Sequence, residues 1–159
     1  MLFKELEEDN VFDLENVINN SKQSYQINLM NQINEVMNAT YTKSHRFTFN
    51  NIPKMGTKDR GVYLIYHKDK LMYVGSGNIP QRIRRHRDVY RNNGKDLQHE
   101  KSTSGSQAAT KAYDYDDNIN NWTIEYIKID GLVSRPFIEE IENYIINQCS
   151  PEFNVMGII

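Results

Sequence analysis

Residues 61–75 read GVYLIYHKDKLMYVG and contain two β-branched and aromatic runs separated by four polar residues. This pattern is typical of a β-hairpin whose strands cover 61–66 and 71–74. The small residues from Gly75 to Asn78 are expected to end the second strand, and Pro80 suits the first turn of a helix. We therefore expect a folded domain to begin with this hairpin and a helix.

Two helices are predicted after the hairpin. The first carries apolar residues with helical spacing from Ile79 to Tyr90, and Gly94 lies just beyond its end. A small-residue loop over 102–106 separates it from a short helix over 107–115. The arginines of the first of these two helices are expected to project away from its apolar side.

A third strand and a last helix complete the predicted domain. Residues 122–129 alternate between side chains of different polarity, as a half-buried strand does. Ser134 and Pro136 are suited to the start of an amphipathic helix that reaches Cys149 and ends near Pro151. The predicted fold is α+β, with a small three-stranded antiparallel sheet flanked by helices.

Residues 1–58 differ in pattern from the rest of the chain. Apolar sets with helical spacing lie at 14–18 and 30–37, and 45–49 alternates as a short strand does. We therefore divide the chain into an N-terminal helical arm over 1–58 and a second domain over 59–159. The arm is expected to serve recognition or dimerisation, or to pack on its own domain.

The composition excludes several classes of protein. The chain has 159 residues, which allows one domain with a short extension. It has no apolar run near the roughly 20 residues that a membrane span needs. The first ten residues are acidic, so we expect no secretory signal. The single cysteine, Cys149, excludes an intramolecular disulfide and favours a cytoplasmic location.

Charge is unevenly distributed along the chain. The whole chain has a net charge of -2, but residues 81–101 have a net charge of +4 and residues 112–142 a net charge of -6. A local basic segment matters more for phosphate contact than the overall sum. Alone, however, an arginine-rich helix is more often a solvated face than a binding site.

Five short motifs resemble those of one known family, the GIY-YIG nuclease superfamily. Residues 61–63 (GVY) and 73–75 (YVG) resemble its paired strand motif. Residues 82–86 (RIRRH) are similar to its Arg-x-x-x-His helix motif. Residues 142–146 (ENYII) resemble its metal-binding Glu motif, and 153–155 (FNV) its closing Asn. Because the motifs occur in the family's order on the expected elements, together they are a specific match.

The resemblance implies six catalytic residues, namely Tyr63, Tyr73, Arg82, His86, Glu142 and Asn154. Phosphodiester hydrolysis needs a positioned water, a proton acceptor and positive charge at the phosphate. Glu142 would hold one divalent cation, Mg²⁺ or Mn²⁺, with water and substrate phosphate completing its ligands. Arg82 would contact the scissile phosphate, for which a guanidinium is suited.

The two tyrosines and the histidine would handle the proton and the water. Tyr63 would be the general base or a hydroxyl relay. To act as a base at neutral pH, it would need nearby positive charge to lower its pKa. Tyr73 would orient water or phosphate. His86 lies one helical turn after Arg82 and would activate Tyr63 or pass protons. Asn154 would brace the site.

Other basic residues of this helix are candidates for contact with DNA: Arg84, Arg85, Arg87 and Arg91. A shift in the motif alignment would make Arg84 or Arg85 the phosphate ligand in place of Arg82. His99 is the candidate for a second histidine that some relatives have. Recognition would come from residues 1–58, this helix and the loop over 92–107.

The expected function is a divalent-metal-dependent endonuclease that nicks or cuts double-stranded DNA at a specific site. Since the sequence ends at Ile159, soon after Asn154, we expect no long DNA-binding tail and a compact restriction-type or phage-related enzyme. The alternatives are a DNA-binding protein of the same fold without cleavage, and an interaction protein that uses the acidic arm. A homodimer remains open, and no membrane association is expected.

Overall fold

The computed structural model describes residues 13–28, 39–97, 104–131 and 134–156. These residues form, in chain order, α1 (Leu14–Asn28), β1 (Thr40–Lys43), β2 (Phe47–Thr48), a 3-10 turn (Phe49–Asn51), β3 (Arg60–His67), β4 (Lys70–Asn78), α2 (Ile79–Arg91), α3 (Ser104–Tyr115), a second 3-10 turn (Ile119–Asn121), β5 (Trp122–Asp130), α4 (Arg135–Cys149) and α5 (Glu152–Met156).

Within the described residues, the strands form one five-stranded antiparallel sheet. Strand β3 is central and pairs with β4 on one side and β5 on the other. The far side of β5 pairs with β1 and then with β2. Strand β4 lies at the opposite edge of the sheet.

The α+β class is confirmed, but the prediction of a three-stranded sheet was wrong. Strands β1 and β2, of four and two residues, extend the sheet beyond the hairpin and β5. Both strands come from the part of the chain preceding residue 59, and none of their residues is fully buried. Their pairing with β5 is a tertiary contact that a short local pattern does not reveal.

Each face of the sheet is covered by helices. On one face, α1 and α4 pack on alternate residues of β3, including Val62, Leu64 and Tyr66. On the other face, residues such as Tyr63 and Ile65 contact side chains of α2, α3 and Phe153. Burial of these apolar side chains on both faces supplies the main driving force for the fold.

Most predicted elements are confirmed, with differences at their ends. Strand β4 continues to Asn78 instead of ending at Val74. Asn78 caps α2 by accepting a hydrogen bond from the Gln81 N–H. Helix α3 begins at Ser104, inside the segment predicted as a loop. The short helix α5 was not predicted. The predicted helix over 30–37 lies outside the described residues.

None of the described helices has the length and apolar composition that a membrane-spanning helix needs.

Candidate active site

A polar pocket of about 240 Å³ opens beside β4, where helices from both faces of the sheet approach the sheet edge. Its lining comes from β3, β4, α2, α3 and α4 and consists of Tyr63, Tyr73, Ser76, Arg82, Gly105, Arg135, Glu139, Glu142 and Asn143. The pocket thus brings together four of the six predicted catalytic residues.

Tyr63 points across the hairpin onto a glycine. Gly75 is opposite Tyr63 in the β3–β4 register, and a Cβ at Gly75 would overlap the phenol ring and hydroxyl. A glycine is therefore required at this position for the observed placement of Tyr63. The small residues of β4 continue the strand rather than ending it, because they pair with residues 60–63 of β3.

The environment of Tyr63 differs from the one expected. Burial raises its pKa well above the ordinary value, and the charge of Tyr73 and a hydrogen bond with that residue act in the same direction. Arg82 lowers the pKa of Tyr63, but its effect is smaller than that of burial. The phenol therefore keeps its proton at neutral pH, contrary to the partial deprotonation that a general base requires.

Arg82 lies over a second glycine of β4. A Cβ at Gly77 would be 3.1 Å from Arg82 Nε, and the φ of Gly77, +127°, is one that other residues rarely adopt. The side chain of Arg82 can therefore lie along β4 and reach the pocket from the first turn of α2.

Glu142 is the most enclosed carboxylate of the pocket. Its Oε2 accepts a hydrogen bond from the Ser76 hydroxyl. Burial raises its pKa, the Ser76 hydrogen bond opposes this, and the negative charge of Glu139 adds to the increase. Glu139 itself is paired with Arg135, whose Nε lies 2.7 Å from Glu139 Oε1.

The chemistry of this pocket fits one divalent cation held jointly with the substrate. Among the described residues, no group of three His, Cys, Asp or Glu side chains could hold a metal ion by itself. Mg²⁺, however, is commonly bound by one or two carboxylates together with waters and substrate phosphates. Glu142, with Glu139 beside it, provides such a carboxylate in a polar and open pocket.

His86 lies behind the pocket and does not line it. Its ring is 2% exposed and stacks on Phe49 with centroids 5.3 Å apart. The centroid of the Tyr73 ring is 6.3 Å from that of His86. Burial lowers the pKa of His86 to about 3, and the Gly105 backbone opposes this shift. His86 is therefore neutral at pH 7.

Asn154 also lies outside this pocket, at the edge of β4. Its side-chain amide accepts from the Val74 N–H and donates to the Val74 carbonyl oxygen. The amide thus fixes the backbone of the residue between Tyr73 and Gly75.

The family model of the GIY-YIG catalytic domain matches residues 60–154, more than half of the chain. The chain belongs to the GIY-YIG family. No curated protein and no solved structure gives a significant match. GIY-YIG proteins are nucleases, so the domain implies a DNA substrate. They generally use divalent metals. The homodimer that the sequence left open is not supported.

The other arginines of α2 in this GIY-YIG chain do not line the pocket. Arg84 is exposed, which makes it accessible to a ligand. Arg85 is paired with Asp96 through its Nε at 3.2 Å, and Arg87 with Asp88 at 3.0 Å. Arg91 donates to Asn50 at 2.7 Å. His99 lies outside the described residues.

Several pocket residues were missed by the sequence reasoning. Ser76 belongs to the segment that was expected to end the second strand, and Gly105 to the predicted small-residue loop. Arg135 and Asn143 both lie on α4. Arg135 is about two helical turns before Glu142 and so lies on the same side of the helix, and that spacing was the available signal for it. Asn143 directly follows Glu142, and its only signal was its place in the motif over 142–146. Ser76 had none, because its contact with Glu142 joins two distant segments.

Proposed function

We propose that this chain is a divalent-metal-dependent DNA endonuclease that hydrolyses phosphodiester bonds and nicks or cuts at a specific site. The observation that carries the proposal is the convergence of Tyr63, Arg82 and Glu142 on one polar pocket in a GIY-YIG domain. A compact restriction-type or phage-related enzyme is the form we propose, with residues 1–58 as its recognition arm.

In this proposal, Arg82 binds the scissile phosphate and Glu142 is the protein ligand of the cation. The guanidinium of Arg82 donates to phosphate oxygens and stabilises the charge that develops during attack by water. A bound divalent cation would supply Lewis-acid charge to the phosphate and lower the pKa of a bound water. Ser76 orients the Glu142 carboxylate through its hydroxyl.

The tyrosines act in the proposal as neutral hydroxyl groups. Since burial raises the pKa of Tyr63, its phenol stays protonated and orients the attacking water, with Tyr73 as its hydrogen-bond partner. As the water attacks, Tyr63 accepts a proton from it and donates its own proton to a phosphate oxygen of the substrate. His86 is neutral and stacked, so we assign it to positioning the ring of Tyr73. Arg84, Arg85, Arg87 and Arg91 are proposed to contact DNA beyond the scissile phosphate.

A supercoiled-plasmid time course tests the proposal. The native chain and Glu142→Gln are compared with Mg²⁺, with Mn²⁺ and with EDTA, and DNA binding is measured in parallel. We expect metal-dependent conversion by the native chain alone, with similar DNA affinity for both proteins. Open-circle or linear product then distinguishes nicking from double-strand cleavage.

Two results would contradict the proposal. Full activity of Glu142→Gln would exclude Glu142 as the metal ligand. Absence of cleavage on every DNA, with salt-sensitive binding retained, would favour a DNA-binding protein without nuclease activity.

A further inference from the structure

A second cavity, of about 400 Å³, adjoins the active-site pocket between α3, α4 and α5. The two cavities share Tyr73, Glu142 and Asn143 as lining residues. A strand of DNA whose scissile phosphate lies beside Glu142 can therefore continue into the second cavity. Its volume is in the range of small-ligand sites, which is enough for one nucleotide.

Lys111 of α3 provides positive charge in this cavity. Its side chain is half-buried, and it forms no ion pair or hydrogen bond with the residues that the structure describes. By contrast, Arg85 and Arg135 are paired with acidic side chains. A half-buried ammonium group with no acidic partner among the described residues favours an anion, and a phosphate of the substrate would meet that need.

The remaining lining combines amides with apolar surface. Gln107 and Asn147 provide side-chain amides, and Phe153 and Ile146 provide apolar surface. Amide side chains can donate and accept hydrogen bonds at the edge of a base, whereas apolar side chains accommodate its faces or the sugar. Asn154 also borders the cavity, but its amide is bonded to Val74.

We infer that this cavity is the subsite for the nucleotide that adjoins the scissile phosphate. Lys111 contacts the far phosphate of that nucleotide, and Asn147 contacts its base and contributes to sequence preference. The inference rests on the proposed function, because it takes the position of the scissile phosphate from it.

The experiment compares two subsite variants with matched controls. Lys111→Ala is paired with Lys70→Ala, an exposed lysine at the start of β4. Asn147→Ala is paired with Gln148→Ala, the next residue of α4, which is also exposed but does not line the cavity. Steady-state cleavage of plasmid gives kcat and KM. DNA affinity at several salt concentrations, measured in the Glu142→Gln background, gives the salt slope without cleavage.

We expect Lys111→Ala to raise KM by about tenfold, as for loss of a charge-assisted hydrogen bond, with kcat changed less than about threefold. The salt slope should fall by about one, and Lys111→Arg should restore it. Sequencing of the cut ends should show that Asn147→Ala accepts more kinds of base next to the cut than the native chain does. Neither control should have these effects.

The outcomes separate the inference from the proposed function. Native cleavage with unchanged KM and salt slope in Lys111→Ala would overturn the subsite and leave the nuclease proposal intact. Native DNA binding without cleavage would overturn the nuclease proposal and, with it, the scissile-phosphate subsite. Native cleavage with the expected Lys111 effects, absent from Lys70→Ala, would support the inference.

Discussion

The side-chain amide of Asn154 pairs with both backbone polar groups of Val74. The Val74 N–H donates to Asn154 Oδ1, and Asn154 Nδ2 donates to the Val74 carbonyl oxygen, each at 2.8 Å. Since β4 is at the edge of the described sheet, the amide takes the place that a further strand would have. It stabilises the segment of β4 that carries Tyr73 and Gly75.

Loss of this amide should destabilise the fold. Asn154→Ala leaves both groups of Val74 without a protein partner, and Asn154→Asp removes the donor to the carbonyl. We expect each variant to lower the free energy of unfolding by about 1–3 kcal/mol in urea denaturation. Gln148→Ala, an exposed change on α4, is the control. Native stability of Asn154→Asp would show that the pair contributes little.

The hairpin, α2, β5 and α4 could be predicted because each has a strong local hydrophobic pattern. Strands β1 and β2 could not, since they depend on pairing with β5. The end of β4 was placed too early because Gly75 and Gly77 are common in turns. In this fold the absence of a side chain at these positions makes room for Tyr63 and Arg82.

The candidate site could be predicted in part from its motifs. Tyr63, Tyr73, Arg82 and Glu142 line one pocket, as expected for residues that act together. The burial of His86 and the raised pKa of Tyr63 depend on neighbours such as Phe49, from distant segments. Local spacing does not encode such neighbours, so the protonation states required the structure.

Tyr63→Phe tests the part of its hydroxyl in cleavage. The change removes one oxygen from a ring that is otherwise fixed against Gly75, so we expect a native fold. If the hydroxyl relays a proton, kcat should fall by at least ~100-fold with little change in DNA affinity. Tyr113→Phe removes a hydroxyl that bonds Asn93 outside the pocket and is the control. Near-native kcat in Tyr63→Phe would exclude the relay.

A buried ion pair on the face of the sheet that α1 and α4 cover gives a stability test. Glu125 is 0% exposed, and its Oε1 accepts from Arg46 Nε at 2.9 Å, with Lys43 Nζ at 4.0 Å from Oε2. Arg46→Met would leave a buried carboxylate without its closest partner. We expect a loss of about 3–5 kcal/mol in the free energy of unfolding.

Replacing both Arg46 and Glu125 should be less costly than replacing Arg46 alone. The double variant with Arg46→Met and Glu125→Met removes the buried carboxylate, so it should recover part of the lost stability. The recovery is partial because the buried Lys43 loses its contact with Glu125. Arg135→Met breaks the exposed pair with Glu139 and should cost less than about 1 kcal/mol. A double variant no more stable than Arg46→Met would exclude an uncompensated charge as the cause.

Asp116 should make stability depend on pH under acidic conditions. Its carboxylate accepts from His67 Nε2 at 2.7 Å, from the Asn118 N–H at 2.9 Å and from Asn121 Nδ2 at 2.8 Å. The hydrogen bond from His67, followed by those from Asn118 and Asn121, lowers the pKa of Asp116 to about 2. An unfolded aspartate titrates near 4. The contribution of Asp116 is therefore complete above about pH 4 and is lost as the pH falls through about 2.

Urea denaturation of the native chain and Asp116→Asn between pH 2 and pH 7 measures this contribution. Other carboxylates titrate in the same range, but they affect both proteins alike, so the difference between the two free energies isolates Asp116. That difference should shrink as the pH falls from about 4 to about 2. Asp114→Asn, at an exposed aspartate of α3, is the control for removal of a carboxylate. A difference for Asp116→Asn that stays constant from about pH 4 to about pH 2 would mean that its three hydrogen bonds do not favour the charged form in solution.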